Sequence, residues 1–389
     1  MRAVRCGPAK SLLIGALACA PLASAAEAAA FEESEPFASG VGGYHTYRIP
    51  AVVATAKGAI LAFAEGRKHG AGDSGDIDLL LRQSHDGGRT WEPVQVVVDS
   101  GPDTAGNPAP VVDPKTGTVW LLFSKNLGDR GEAEIVERGA PRTVWVVRSA
   151  DGGATWSAPR EITAQVKPPE WTWTATGPGH GIALRGGRLL VPCDHVLGRS
   201  RDYARSAYSH VIVSDDGGET WRLGGAFGPG TNECTAVEVA PDVVYANARN
   251  YVLPKRRAYA WSRDGGLTFE TRRWDDALPE PVCHASAIGI PDPGGTAKTR
   301  ILFANPASER RERLTVRLSD AEWRTWPAAR VIHEGPAAYS DLVLLPSGEV
   351  GCLYERGEKS PYEKIAFARF DPAWVLGSGG PARPPPSRR

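Results

Sequence analysis

Ser84-His-Asp-Gly-Gly-Arg-Thr-Trp91 returns three more times almost unchanged: Ser149-Ala-Asp-Gly-Gly-Ala-Thr-Trp156, Ser214-Asp-Asp-Gly-Gly-Glu-Thr-Trp221 and Ser262-Arg-Asp-Gly-Gly-Leu-Thr-Phe269. A fifth stretch, Ser319-Asp-Ala-Glu-Trp-Arg-Thr-Trp326, keeps the Ser, Thr and Trp spacing and lacks the Asp-Gly-Gly. Asp-Gly-Gly is turn chemistry: the glycines accept positive φ and the carboxylate bonds nearby backbone N–H groups. The aromatic at the end is expected to pack the turn onto its own sheet. The residues before each copy alternate or run apolar, as in Thr143-Val-Trp-Val-Val-Arg148 and Ser209-His-Val-Ile-Val213. These are strands, so each copy lies between two adjacent strands.

The copies begin about 50–65 residues apart, the length of one four-stranded blade with its loops, and helical periodicity is absent. The expected fold is all-β, a six-bladed β-propeller whose recurring octapeptides are hairpin turns. Forty-four glycines and 32 prolines among 389 residues suit many short strands joined by many turns. Twelve tryptophans are many, and the repeats account for only part of them.

Lysine plus arginine and aspartate plus glutamate balance at 45 each, which gives no electrostatic case for nucleic acid or a membrane surface. Arg2, Arg5 and Lys10 precede an apolar stretch that ends in Ala23-Ser24-Ala25, the pattern of a signal peptide over residues 1–25. Its removal would leave a net charge of −3 and imply export, periplasmic or secreted. A lipoprotein is disfavoured because Ala16 stands three residues before Cys19, where a larger aliphatic is expected. Residues 26–376 would form the propeller, and the Gly, Pro and Arg-rich residues 377–389 a disordered tail. Cys193, Cys234, Cys283 and Cys352 show no C-x-x-C spacing, which argues against zinc and leaves disulfides or buried thiols open. No cofactor is implied, because the histidines form no HExxH pair and no Gly-x-Gly-x-x-Gly links a strand to a helix.

Between the repeats lie residues of another kind. Tyr47-Arg48-Ile-Pro50 precedes the first copy, followed by Glu65-Gly-Arg67 and Gly70-Ala-Gly-Asp73-Ser-Gly-Asp76-Ile-Asp78. Asn232-Glu233 and Asn247-Ala-Arg249 lie between the third and fourth copies. Glu309-Arg310-Arg311-Glu-Arg313 comes just before the fifth, and Tyr339 and Glu355 follow it. This arrangement resembles the bacterial exo-α-sialidase (neuraminidase) family, whose Asp-box turns match the repeats, over nearly the whole chain after residue 25.

The resemblance implies a hydrolase of terminal α-linked sialic acids. Arg48, Arg249 and Arg311 would hold the substrate carboxylate, and Glu355 would brace Arg48. Asp73 would be the acid/base on a loop, Glu233 the general base and Tyr339 the nucleophile. Arg67 would line the pocket. Asp76 and Asp78 compete with Asp73, and Arg310 and Arg313 with Arg311. Trp171, Trp173 and the segment Thr176–His180 are candidates for shaping the aglycone or N-acyl side. The residue types fit the chemistry. Guanidiniums bind carboxylates in fixed geometry, and a neutral phenol avoids the repulsion that a carboxylate nucleophile would meet at an anomeric carbon already bearing one. The implied partners are sialylated glycans, the implied state a monomer without a membrane span. The octapeptides alone fit a sugar-binding propeller without catalysis equally well; the residues between them favour the enzyme. Transfer or intramolecular products remain open.

Overall fold

The computed structural model describes residues 1, 3, 31–252 and 255–377. The signal-peptide and tail expectations therefore lie outside the described residues except at Met1, Ala3 and Gly377. The chain forms β1 (Phe31–Ala38), then β2 (Thr46–Ala54), β3 (Ile60–Arg67), β4 (Ile77–Ser84) and β5 (Gln95–Val98). It continues through β6 (Thr104–Val112), β7 (Val119–Asn126), β8 (Arg142–Ser149) and β9 (Arg160–Glu161). Next come β10 (Trp171–Thr176), β11 (Ile182–Ala183), β12 (Leu189–Leu197), β13 (Ala207–Ser214) and β14 (Arg222–Phe227). β15 (Thr231–Ala240), β16 (Val243–Asn250), β17 (Arg256–Ser262) and β18 (Arg273–Pro279) follow. The last are β19 (Ser286–Pro291), β20 (Thr299–Pro306), β21 (Glu312–Leu318), β22 (Ala328–Leu344), β23 (Val350–Arg356) and β24 (Lys364–Phe370).

The fold is all-β with a few short helices, and the described residues form four sheets of seven, five, four and eight strands. Pairing is antiparallel apart from one parallel contact, Ile77 with Thr104, that joins β4 to β6, and it follows chain order except there, at β10, which pairs with β12, and at β1. β22 is 17 residues long and serves two neighbours in turn, β21 through Ala328–Pro336 and β23 through Ala337–Leu344. β1 pairs with β24, which ties the start of the described chain to its end. β2 and β3 are buried along their full lengths apart from the half-buried Ala54, as strands covered on both faces must be. Phe63, Phe123, Phe303 and Phe367 are at most 1% exposed, and each such burial is worth about 1.5–3 kcal/mol.

The repeats share one hydrogen-bond scheme. Gly218 N–H donates to Ser214 Oγ at 2.8 Å, and the Asp216 carboxylate accepts from Thr220 N–H at 2.9 Å and from the Thr220 hydroxyl at 2.6 Å. The second glycine of each turn presses onto a strand of another group. A Cβ on Gly218 would lie 2.2 Å from the Trp120 ring on β7, and one on Gly88 2.2 Å from Phe367 on β24. The closing aromatics divide: Trp156 meets Phe63 on β3 within the same eight-stranded sheet and Trp326 meets Phe303 on the neighbouring β20, as packing on their own sheet requires, while two others reach a different sheet. Trp91 meets Phe367 on β24 edge-on at 5.4 Å, and Phe269 meets Phe227 on β14 at 5.2 Å. The turns are therefore clasps between strand groups. The fifth copy has not lost its carboxylate: Asp320, one position earlier, accepts from Arg324 N–H at 2.9 Å and from the Thr325 hydroxyl at 2.5 Å.

Burial opposes ionisation of Asp216, but the Thr220 and Ser214 hydrogen bonds outweigh it and pull its pKa down to about 2. Because this folded value lies below the unfolded value of ~3.9, its stabilisation is complete above about pH 4 and disappears as pH falls towards 2. Asp216→Asn is expected to lower Tm at neutral pH and to flatten the acid arm of Tm against pH. Melts across that range check this, and an acid arm as steep as the wild type's would exclude a contribution from this carboxylate.

Candidate active site

The site sits at one end of the strands. Arg48 and Glu233 lie near the starts of β2 and β15, while Arg67, Arg249 and Glu355 lie near the ends of β3, β16 and β23. Because the strands are antiparallel, these positions share an edge. The clasps follow β4, β8, β13, β17 and β21 at the opposite edge, where Ser84 pairs with Ile60. They can build the frame without entering the chemistry. The shared edge opens into a cavity of about 410 Å³ lined by Arg48, Arg67, Asp73, Glu233, Arg249, Arg311 and Tyr339, among others.

Tyr339 is at its centre, 4% exposed. Its hydroxyl donates to Glu233 Oε1 at 2.6 Å and accepts from Arg249 Nη1 at 2.8 Å. The same Nη1 lies 2.9 Å from Glu233 Oε2. The guanidiniums of Arg48 and Arg311 stand 5.1 and 5.4 Å from the centre of the Tyr339 ring. Arg48, Arg249 and Arg311 thus converge on one phenol. Burial, then the negative Glu233, push the Tyr339 phenol well above its ordinary range. Burial also works against ionised Glu233, but Arg249, His284 and the Tyr339 hydroxyl outweigh it and hold that carboxyl low. The resting proton therefore belongs to the tyrosine.

Glu355 is fully buried and takes four donors: Arg48 Nε at 3.0 Å, Arg48 Nη2 at 3.4 Å, Ile49 N–H at 2.9 Å and Tyr339 N–H at 3.0 Å. Ile49 is held at φ 59°, a left-handed conformation unusual for a β-branched residue. Asp73 is on the loop after β3, with its side chain 78% exposed. It lies 2.8 Å from Arg67 Nη1 and 3.6 Å from Arg48 Nη1. Desolvation raises its pKa, but Arg67 and then Arg48 outweigh that and keep it below the ordinary range.

The competitors separate by position. Asp76 pairs with Lys68 at 2.8 Å, and Asp78 is buried against Lys68 and the Tyr44 hydroxyl; neither lines the cavity. Arg310 pairs with Glu312 at the surface and Arg313 with Glu334, while Arg311 reaches inward to the Tyr362 hydroxyl at 2.7 Å and Val282 O at 2.9 Å. Trp173 lines the cavity, but Trp171 stacks on His195 at 3.5 Å. His180 turns away from the cavity, because Asp341 on β22 holds its Nδ1 at 2.7 Å.

Several residues of the site escaped the sequence reading. Tyr362 lies under the Arg48 guanidinium at 4.3 Å and bonds Arg311, from a turn without a recognisable motif. Asp194 is 1% exposed at the cavity wall, bonded by Asn232 at 2.8 Å and by the Trp173 N–H at 3.1 Å. Burial first, then Glu233, raise its pKa well above the carboxylate range. A lone acid inside the apolar run Leu189-Leu-Val-Pro-Cys-Asp-His-Val196 was its signal. His284 stands 5.5 Å from Tyr339 with neither ring nitrogen bonded among the described residues. All four described cysteines are buried free thiols.

Comparison with known proteins bears on the family of the chain. The family profile described as a BNR repeat-like domain matches residues 58–352. The chain is 36% identical to a sialidase of Micromonospora viridifaciens over 95% of its own length, spanning 60% of that longer protein. It is 32% identical to an exo-alpha-sialidase of Aspergillus fumigatus, with 86% of each chain covered. The solved structure of the Hadza microbial sialidase Hz136 superimposes with a TM-score of 0.79 at 31% identity, covering 88% of this chain and 69% of that one. With its repeated clasps and its arginine-ringed tyrosine, the chain belongs to the sialidase family of BNR-repeat glycoside hydrolases.

Proposed function

We propose that the protein is an exo-α-sialidase that hydrolyses terminal α-ketosidically linked sialic acids from oligosaccharides, glycoproteins and glycolipids, with retention of configuration through a tyrosyl intermediate. The observation that carries the reading is the 2.6 Å hydrogen bond from the Tyr339 hydroxyl to Glu233 amid three guanidiniums. On this reading the four sheets divide into six propeller blades, cut at Pro336–Ala337 within β22 and at the single parallel contact Ile77–Thr104. Residues 26–376 make the propeller, residues 1–25 an export signal and residues 377–389 a tail, and the protein acts outside the cytoplasm as a monomer.

Arg48, Arg249 and Arg311 bind the substrate carboxylate and set the ring above Tyr339. The phenol oxygen attacks the anomeric carbon as the glycosidic C–O bond breaks. The phenolic proton passes to Glu233, and Asp73 protonates the departing oxygen. Water then attacks the same carbon, Asp73 takes its proton, and Tyr339 leaves and regains its proton from Glu233. Two inversions give retention. A phenol is a weak nucleophile even at its ordinary pKa of about 10 and burial raises Tyr339 further, so it needs the adjacent base, which takes the proton as the phenol attacks and leaves no free phenolate facing the substrate carboxylate.

Release of a fluorogenic aglycone from an α-ketoside of N-acetylneuraminic acid tests the reading, and turnover no higher than a Tyr339→Phe control would sink it. Proton NMR of the first product should show the α-anomer of free sialic acid; an anhydro sugar lighter by one water would indicate intramolecular transfer instead. Asp73 makes a sharper case. As the acid it must be protonated, yet Arg67 and Arg48 hold it ionised in the free enzyme. Substrate carboxylate at Arg48 competes for that charge and raises the Asp73 pKa. For poor leaving groups, the alkaline limb of kcat/KM should therefore lie at lower pH than that of kcat. Asp73→Ala should slow those substrates most, and equal losses on good and poor leaving groups would move the role to another group.

A further inference from the structure

The catalytic cavity makes no use of the fifth clasp or of the aromatics around it. A second cavity, of about 710 Å³, lies between β16–β18 and the turn after β21 and shares no residue with the first. Its walls include Tyr245, Tyr259, Trp261, Trp274, Trp323 and Trp326. Four of the chain's twelve tryptophans are thus gathered in one groove. Tyr245 and Arg249 are four residues apart on β16, so the groove opens ~13 Å along the blade from the catalytic residues.

These aromatics are only partly buried, as Trp91 and Trp156 of the other clasps also are. What sets the groove apart is the gathering of four tryptophans in it and Trp323, which occupies the place of the second glycine in the other four turns with a φ of 56°. A bulky side chain in that conformation is strained, and glycine at the same place would relieve it. The rings are nonetheless fixed. Trp323 N–H donates to Thr299 O at 2.7 Å and Trp326 N–H to Asp275 at 2.8 Å, Trp261 lies 5.9 Å from Trp323, and Arg272 covers one face of Trp274 at 4.4 Å. Rigid, accessible indoles amid hydrogen-bonding side chains are a preorganised platform.

We propose that this groove is a second carbohydrate site, separate from the catalytic one, that takes a neutral hexopyranose such as the galactoside portion of a glycan. The apolar C–H face of a pyranose stacks on indole, and its hydroxyls suit the carboxylates and guanidiniums of the rim. Three arginines face four carboxylates there, so no excess positive charge selects an anion, unlike the arginine-rich catalytic cavity. On the clasp edge rather than the catalytic one, such a site would hold a multivalent sialylated substrate by a neighbouring branch between turnovers.

The probes are lactose and N-acetyllactosamine, titrated calorimetrically into the whole protein and into Trp323→Gly and Trp274→Ala. Trp323→Gly restores the glycine of the other clasps, so relief of backbone strain offsets part of the lost indole packing, and a melt of each variant checks that it is folded at the temperature of the titration. The expected result is wild-type binding with Kd of roughly millimolar order, weakened about tenfold or more in both variants. kcat/KM on a small fluorogenic ketoside should be unchanged in the variants, while release of sialic acid from a mucin falls several-fold. No heat from either disaccharide, equal affinity in wild type and both variants, or saturation by free sialic acid alone would each overturn the proposal. Disaccharide binding is read without turnover, so its failure and that of the sialidase reading are separable.

Discussion

Tyr339→Phe is expected to lower kcat about 10⁴-fold, while changing the affinity for sialic acid less than about tenfold. That loss corresponds to about 5.5 kcal/mol of barrier, the scale of an effect confined to the reacting atoms. The reason is local. The ring and its packing survive, and Glu233 keeps Arg249 at 2.9 Å, so no charge is left unpaired. The variant loses one buried hydroxyl with its bonds to Glu233 and Arg249, a cost of about 1–3 kcal/mol to the fold. It cannot form the bond to the anomeric carbon, and Glu233 cannot replace the phenol without setting its charge against the substrate carboxylate. A 3-fluorosialosyl fluoride, which forms the glycosyl-enzyme quickly and releases it slowly, should add one sugar to the wild type, and peptide mapping should place it on Tyr339. A label elsewhere, or Tyr339→Phe turnover within tenfold of wild type, would remove Tyr339 from the nucleophile's role.

What was legible in the sequence follows the range of the interactions. The Ser-x-Asp-Gly-Gly-x-Thr-Trp turn satisfies its own donors within seven residues, so its hairpins could be read from the octapeptide alone. What the turn touches could not be read, because Trp91 meets Phe367, 276 positions away, and nothing in either segment encodes the other. The fifth clasp departs from the pattern for a related reason: the octapeptide has its carboxylate at the third position, while the structure needs only an oxygen within reach of Thr325, and Asp320 supplies it. Among the site residues, Arg48, Glu233, Arg249 and Tyr339 were legible through the family resemblance, from their order and spacing between the repeats rather than from any one local string. The choice of Arg311 over Arg310 and Arg313 rests on which side chain turns inward at the start of β21. Tyr362, Asp194 and His284 reach the site only through packing of distant strands, and β22 serves two neighbours through pairing that no local pattern announces.

The second large effect concerns stability, and it comes from one carboxylate. Glu355→Gln should destabilise the fold by about 3–5 kcal/mol and lower Tm by about 5 °C or more, while raising KM for the α-ketoside. Two oxygens now serve four donors: Oε1 takes Arg48 Nε and Ile49 N–H, and Oε2 takes Arg48 Nη2 and Tyr339 N–H. An amide has one acceptor oxygen. In either orientation its NH₂ faces two of those donors, and Arg48, 6% exposed, loses its nearest counter-charge and keeps only the more distant Asp73 at 3.6 Å. The backbone consequences reach the chemistry, since the Ile49 conformation at φ 59° and the Tyr339 N–H are both held by this group. Releasing them loosens the aim of Arg48 and the seat of the phenol together. Glu355→Asp keeps the charge but is one methylene too short to span both sides, so it should recover more of Tm than of KM. A Gln variant with unchanged Tm would show that Arg48 finds another partner; one that melts early but binds substrate normally would show that Arg48 does not hold the carboxylate.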